Sequence, residues 1–276
     1  MQRLPGVVLP DQVTVTNALP EQADAALLAV PMQHLRGIAG RMRLQAPLIA
    51  CCKGLEAISG LLPLELLAEL HPSLPLCVLS GPNFAAEVAR GLPTASVLAC
   101  TDASLAANLS RLLATETLRL YASDDPTGVQ VGGAAKNVIA IAAGAAIGAG
   151  LGENARAALI TRGVAELGRL IVGLGGRPAT ASGLSGLGDL VLTCTGQSSR
   201  NYSLGVALGR GDSLQSILSA RSTIAEGVAT APVLAARAAS LGVAVPVIEA
   251  VAQLLTGIID LQQARSQLLG RPLGME

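Results

Sequence analysis

The strongest constraint on this chain is a change of pattern near its middle. Before it, short apolar runs at 13–16, 25–30, 47–52, 76–80, 94–100 and 118–122 alternate with stretches where Leu and Ala recur at helical spacing, 33–43, 62–70, 85–90 and 104–115. Several of the runs are continuously apolar, as strands covered on both faces are. Strand–helix alternation of this kind predicts an α/β fold with a doubly wound sheet. After the turn cluster Ser123-Asp124-Asp125-Pro126 the β-branched runs stop, and the chain becomes rich in Ala, Leu and Gly with a 3.6-residue period. The expectation is two domains, an α/β unit over 1–125 and an all-helical unit over 126–276.

Composition decides which environments suit such a chain. Apolar residues make up 51% and charged residues 14% of the 276, the reverse of a disordered composition. The longest charge-free windows, 70–86 and 137–152, are shorter than the roughly 18 residues a membrane span needs, and no membrane insertion is expected. Nineteen basic and nineteen acidic residues cancel, and three aromatic residues build no base-stacking platform, so nucleic acid is not an expected partner. The five cysteines lie in apolar runs without metal-ligand spacing and read as small core residues in a reducing compartment. No apolar segment of signal-peptide length opens the sequence, and the cytoplasm is the expected location. The apolar composition also leaves room for a homodimer.

Chemistry is concentrated at a few positions. Of the nineteen basic residues seventeen are Arg, and the two Lys are Lys53 and Lys136. Lysine, unlike arginine, has a pKa that burial brings down far enough to give and take protons. Lys53 follows the run 47–52 and so projects from the carboxyl end of a predicted strand, where open α/β sheets bind ligands. Lys136 sits in the apolar segment Gly132-Gly133-Ala134-Ala135-Lys136-Asn137, where a buried ammonium needs a partner. Asp189, isolated in Gly186-Leu187-Gly188-Asp189, is the expected partner. The turn Ser80-Gly81-Pro82-Asn83-Phe84-Ala85 offers free backbone amides to an anion or a carboxamide. Arg200 and Asn201 after Ser199 present a planar fork and amide donors suited to phosphate. Taken singly, each has a plainer reading: residual surface lysines, an ordinary strand–helix turn, a solvated loop cation. His34 and His71 lack a nucleophile elbow nearby, and no His/Cys cluster suggests a metal.

Read in order, Lys53-Gly54-Leu55-Glu56, Ser80–Ala85, Gly133–Ala140, Gly186–Cys194 and Ser199-Arg200-Asn201 closely resemble the bacterial NAD(P)-dependent glycerol-3-phosphate dehydrogenases, from Leu4 to beyond Pro246. The resemblance implies a Rossmann-type N-terminal domain, a helical substrate domain and NAD(P)H as cofactor. The implied reaction is the reversible reduction of dihydroxyacetone phosphate to sn-glycerol 3-phosphate, which feeds glycerophospholipid synthesis. It makes Lys136 the catalytic lysine, in contact with the substrate, and Lys53 a contact of both substrate and cofactor. Gly81, Asn83, Asp189, Ser199, Arg200 and Asn201 become substrate positions, with Asn83 standing where Ser or Thr is usual. Ala85, Arg200, Ile224 and Glu226 become cofactor positions. One departure stands out: the family opens with a strand, a Gly-rich turn and a helix that cradle the cofactor pyrophosphate, and this sequence contains no G-x-G-x-x-G. The expectation is therefore an incomplete Rossmann-type domain that lacks a first βαβ unit. Its rival is a non-catalytic fragment or relic that binds no cofactor, and a third reading is a two-domain dehydrogenase that reduces keto acids or oxidises sugar acids.

Overall fold

The computed structural model describes Leu4 and residues 6–221 and 225–270. Five strands form one sheet in sequential order: β1 (Ala26–Leu28), β2 (Leu48–Ala50), β3 (Leu76–Ser80), β4 (Thr94–Cys100) and β5 (Leu118–Ser123). Pairing is parallel except between β3 and β4, where Cys77 faces Cys100 in antiparallel register. The reason lies in the connection, which carries only the single helical turn α3 (Ala85–Val88) and is too slight to return the chain across the sheet face. The other connections hold a 3-10 turn (Met32–His34) running into α1 (Leu35–Ala39), α2 (Pro63–Leu70) and α4 (Ala103–Leu113). Leu48, Ile49 and Ala50 of β2 are buried on both sides, as continuous apolar strands require. The run at 13–16 is not a strand. Val15 is 78% exposed and no neighbouring strand takes up the backbone hydrogen bonds of this segment, so β-propensity alone does not make a strand of it.

The helical half is built around α5 (Pro126–Gly148), followed by α6 (Gly152–Gly173), α7 (Asp189–Thr195), α8 (Arg200–Gly209), α9 (Leu214–Ser219), α10 (Glu226–Ser240), α11 (Pro246–Leu255) and α12 (Leu261–Leu269). Asp125 caps α5, and its carboxylate also accepts from the Arg177 amide (2.9 Å) and the Thr180 hydroxyl (2.6 Å), pinning the helix start. α5 is long and apolar enough to cross a membrane, but 83% of its most apolar window lies inside the protein: it is a core helix, apolar all round because other helices surround it. Glycine allows that crowding. A Cβ at Gly144 would collide with the Tyr202 carbonyl, one at Gly148 with that of Val206, and one at Gly205 with that of Ile141, so α5 and α8 touch backbone to backbone.

The two halves are stitched along the loop after β2. Gly54 (φ +119°) lies so close to α10 that a Cβ would meet the Thr230 hydroxyl oxygen at 2.6 Å. Arg237 of α10 donates to the Gly60 carbonyl (3.0 Å) and to Glu65 of α2. Gln130 of α5 accepts from the Leu64 amide at 2.8 Å. These contacts fix the end of β2, and with it Lys53, against the helical half.

Candidate active site

The two lysines meet on one carboxylate. Lys53 reaches from the end of β2 to Asp189 Oδ2 and Lys136 reaches from α5 to Asp189 Oδ1, each at 2.6 Å. Asp189 is brought there by a π-helical turn (Leu184–Gly188) that leads directly into α7, an irregularity typical of functional positions. The turn packs tightly, because a Cβ at Gly132 or Gly186 would strike the carbonyls of Ser185 and Ala181. Asp189 is 1% and Lys136 7% exposed. Lys136 also donates to Thr193 Oγ1 at 3.1 Å, and Thr193 stands one helical turn after Asp189 on the same face of α7. Burial, with the like charge of Lys53 second, brings the Lys136 ammonium down to a pKa of about 8, against the pull of Asp189. A proton donor that titrates near neutrality is suited to general acid–base work.

Lys53 makes two further contacts, to the Gly81 carbonyl (3.2 Å) and Asn83 Oδ1 (3.4 Å), and Asn83 Nδ2 donates to Ser96 Oγ on β4 at 3.1 Å. Gly81 (φ +147°) lies against Ser96, whose Cα would stand 2.9 Å from a Cβ there, so glycine is required. On the other side of Lys136, Asn201 Nδ2 donates to Asn137 Oδ1 (2.9 Å) while Asn201 Oδ1 accepts from the Gly227 amide (3.0 Å). The amide expected to face a phosphate is thus half committed to the protein, with one N–H left. Ser199 is buried and caps α8, accepting from the Tyr202 amide. Arg200 is exposed, and its charge acts on Glu226, whose carboxyl burial raises. The Met32 amide, just past the carboxyl end of β1, acts on the same carboxyl in the opposite direction. Ala85 opens α3 and is exposed. Ile224 lies outside the described residues.

Sequence reasoning left Thr193, Asn137 and Ser96 without roles. The four-residue spacing from Asp189 to Thr193 was a usable signal for the first. Nothing in sequence pairs Ser96 with Asn83. Among the described residues no group of three or more His, Cys, Asp or Glu could hold a metal ion.

The carboxyl ends of β1 to β3 fit the nicotinamide end of a dinucleotide. Gly81 and Gly133 let Ser96, Ser80 and the Lys53 stem pack close there, the Ser80 hydroxyl is buried without a partner, and Lys53 and Glu226 border the same region. A glycine-rich turn for the pyrophosphate is not found among the described residues. A parallel-dominated sheet with polar groups at its strand ends, facing a helical half that buries a lysine on a carboxylate, is an architecture of two-domain dehydrogenases.

Comparison with known proteins makes this specific. The family described as NAD-dependent glycerol-3-phosphate dehydrogenase matches over both its parts, the N-terminus at residues 1–106 and the C-terminus at 125–266. The glycerol-3-phosphate dehydrogenase [NAD(P)+] of Gluconobacter oxydans is 55% identical over 99% of this chain and 85% of its own length. That of Acidiphilium cryptum is 55% identical over 98% and 83%. The crystal structure of glycerol-3-phosphate dehydrogenase from Coxiella burnetii superposes with a TM-score of 0.92 at 36% identity, covering 98% of this chain and 85% of that one. The chain belongs to the NAD-dependent glycerol-3-phosphate dehydrogenase family, and is an NAD(P)-dependent enzyme of it acting on a small phosphorylated substrate. Two expectations find no support in these matches, the non-catalytic relic and the missing first βαβ unit.

Proposed function

We propose that Lys136 is the general acid that protonates the C2 oxygen of dihydroxyacetone phosphate, and the base that retrieves the proton from sn-glycerol 3-phosphate in reverse. The observation that carries this reading is the burial of Lys136 on Asp189, with its pKa near 8. Bound nicotinamide supplies and accepts the hydride. Asp189 and Thr193 aim the Lys136 ammonium, so that its third hydrogen is free for a ketone oxygen. Lys53 adds positive charge where alkoxide charge develops. Arg200, with the α8 N-terminus beside it, grips the phosphate, and Asn201 and Ser199 hold that end in shape. Gly81 and Asn83 border the substrate. Lys53, Ala85, Arg200, Glu226 and Ile224 are assigned to the cofactor.

Below pH 8 Lys136 carries its proton, so the reductive rate is flat there and falls above it. The oxidative rate rises with pH toward the same value. Lys136→Met tests the assignment: turnover is expected to fall about 10²- to 10⁴-fold, with sn-glycerol 3-phosphate still bound in calorimetry. Unchanged turnover refutes it.

The domain boundary is placed between residues 125 and 126, where Asp125 caps α5. The same reading makes the protein cytoplasmic, supported by five cysteines that all carry free thiols. It also makes it a homodimer, supported by exposed Val172, Leu241, Ile258 and Leu269 and checked by sedimentation.

A further inference from the structure

Lysine has three N–H donors and no acceptor, and all three of Lys53 are spoken for: Asp189 Oδ2 at 2.6 Å, the Gly81 carbonyl at 3.2 Å and Asn83 Oδ1 at 3.4 Å. The first two acceptors are fixed by α7 and by the close approach of Gly81 to β4. The third is not fixed by its own chain, because Asn83 lies between β3 and α3 and its amide presents either an oxygen or an NH2 group. Turned the other way, it would set two donors against each other. The ammonium, which only donates, draws the oxygen toward itself, and Ser96 Oγ anchors the other end of the amide by accepting from Asn83 Nδ2 at 3.1 Å. Ser96 is 1% exposed, pairs with Leu120 of β5 and lies against Gly81, so its side chain has little freedom to follow the amide.

We propose that Ser96 is a positioning residue of this enzyme: through Asn83 it fixes where the Lys53 ammonium stands, and so the affinity for the substrate. The inference rests on the substrate contact assigned above to Lys53. The Asn83 contact is the longest of the three and the one that depends on a side chain anchored by another residue, so losing Ser96 lets the ammonium and its charge drift from the substrate position. Ser96 touches neither Lys136 nor Thr193, so its loss acts on binding and not on proton transfer.

The chain has only two lysines, and enzyme grown with 13Cε-lysine therefore gives one NMR signal for each. In Ser96→Ala the Lys53 signal is expected to move or broaden while the Lys136 signal stays, which also reports an intact fold. The dissociation constant for sn-glycerol 3-phosphate rises about fivefold, the loss of one neutral hydrogen bond. KM for dihydroxyacetone phosphate rises with it, and kcat stays within about twofold. In an Asn83→Ser background, Ser96→Ala adds less than about twofold, because the route is gone. Asn83→Ala, with Ser96 intact, moves the same Lys53 signal and serves should Ser96→Ala not fold. An unmoved Lys53 signal in Ser96→Ala, or an equal loss of affinity in the Asn83→Ser background, overturns the inference. A wild-type enzyme that binds no sn-glycerol 3-phosphate, or a fully active Lys136→Met, instead overturns the functional reading beneath it.

Discussion

Lys53 and Lys136 share a carboxylate at the same distance, yet they belong to regions with opposite properties. Lys53 follows a three-residue strand, more exposed than Lys136 and held by three acceptors, one on α7 and two on the turn after β3. Lys136 is enclosed in a helix with twenty of its 23 residues buried, and its charge is costly there. A strand end presents a side chain to a ligand, and a helix core changes the acidity of one. On the function proposed above, the sheet half places one ammonium and the helical half loosens the proton of the other, and Asp189 joins them.

The largest effect expected is the collapse of turnover in Lys136→Met. Were Lys53→Met to cost as much, the division of labour between sheet and core would be wrong. Next comes the packing that encloses Lys136: Gly205→Ala drives a methyl into the Ile141 carbonyl and is expected to cost about 3 kcal/mol in urea unfolding, at the upper end for overpacking. Arg200→Lys replaces a planar fork by a point charge. It should raise KM for the phosphorylated ketone about tenfold while leaving an unphosphorylated analogue nearly unaffected. The smallest effect is the sharpest. Lys53→Met removes the like charge that helps depress Lys136, so the alkaline limb of the reductive pH profile should move above 8. A limb that stays in place would leave burial as the whole cause.

Much of the site could be read from residue types. Two lysines in a chain that otherwise uses arginine, and one aspartate among glycines, were enough to expect Lys136 on Asp189. That Lys53 lies on the same carboxylate could not be read, because 136 residues separate them and only the folded halves bring them together. The inward turn of Asn201 was hidden for the same reason: its partners, Asn137 and the Gly227 amide, come from two other helices. The run at 13–16 had the composition of a strand and lacked a neighbour. The antiparallel β3–β4 pair followed from a short connection whose direction no apolar pattern records.

Local chemistry was written in the chain itself: strand-forming runs, the Asp125-Pro126 start of α5, the glycines that let α5 and α8 touch, and the rarity of lysine. These depend on neighbours within a few residues, or on what a side chain is. The tertiary structure alone decided which carboxylate two ammonium groups share, which way Asn83 and Asn201 face, and how far the Lys136 proton is loosened. Each of these is set by distances and burial between segments far apart in sequence, and only packing determines those.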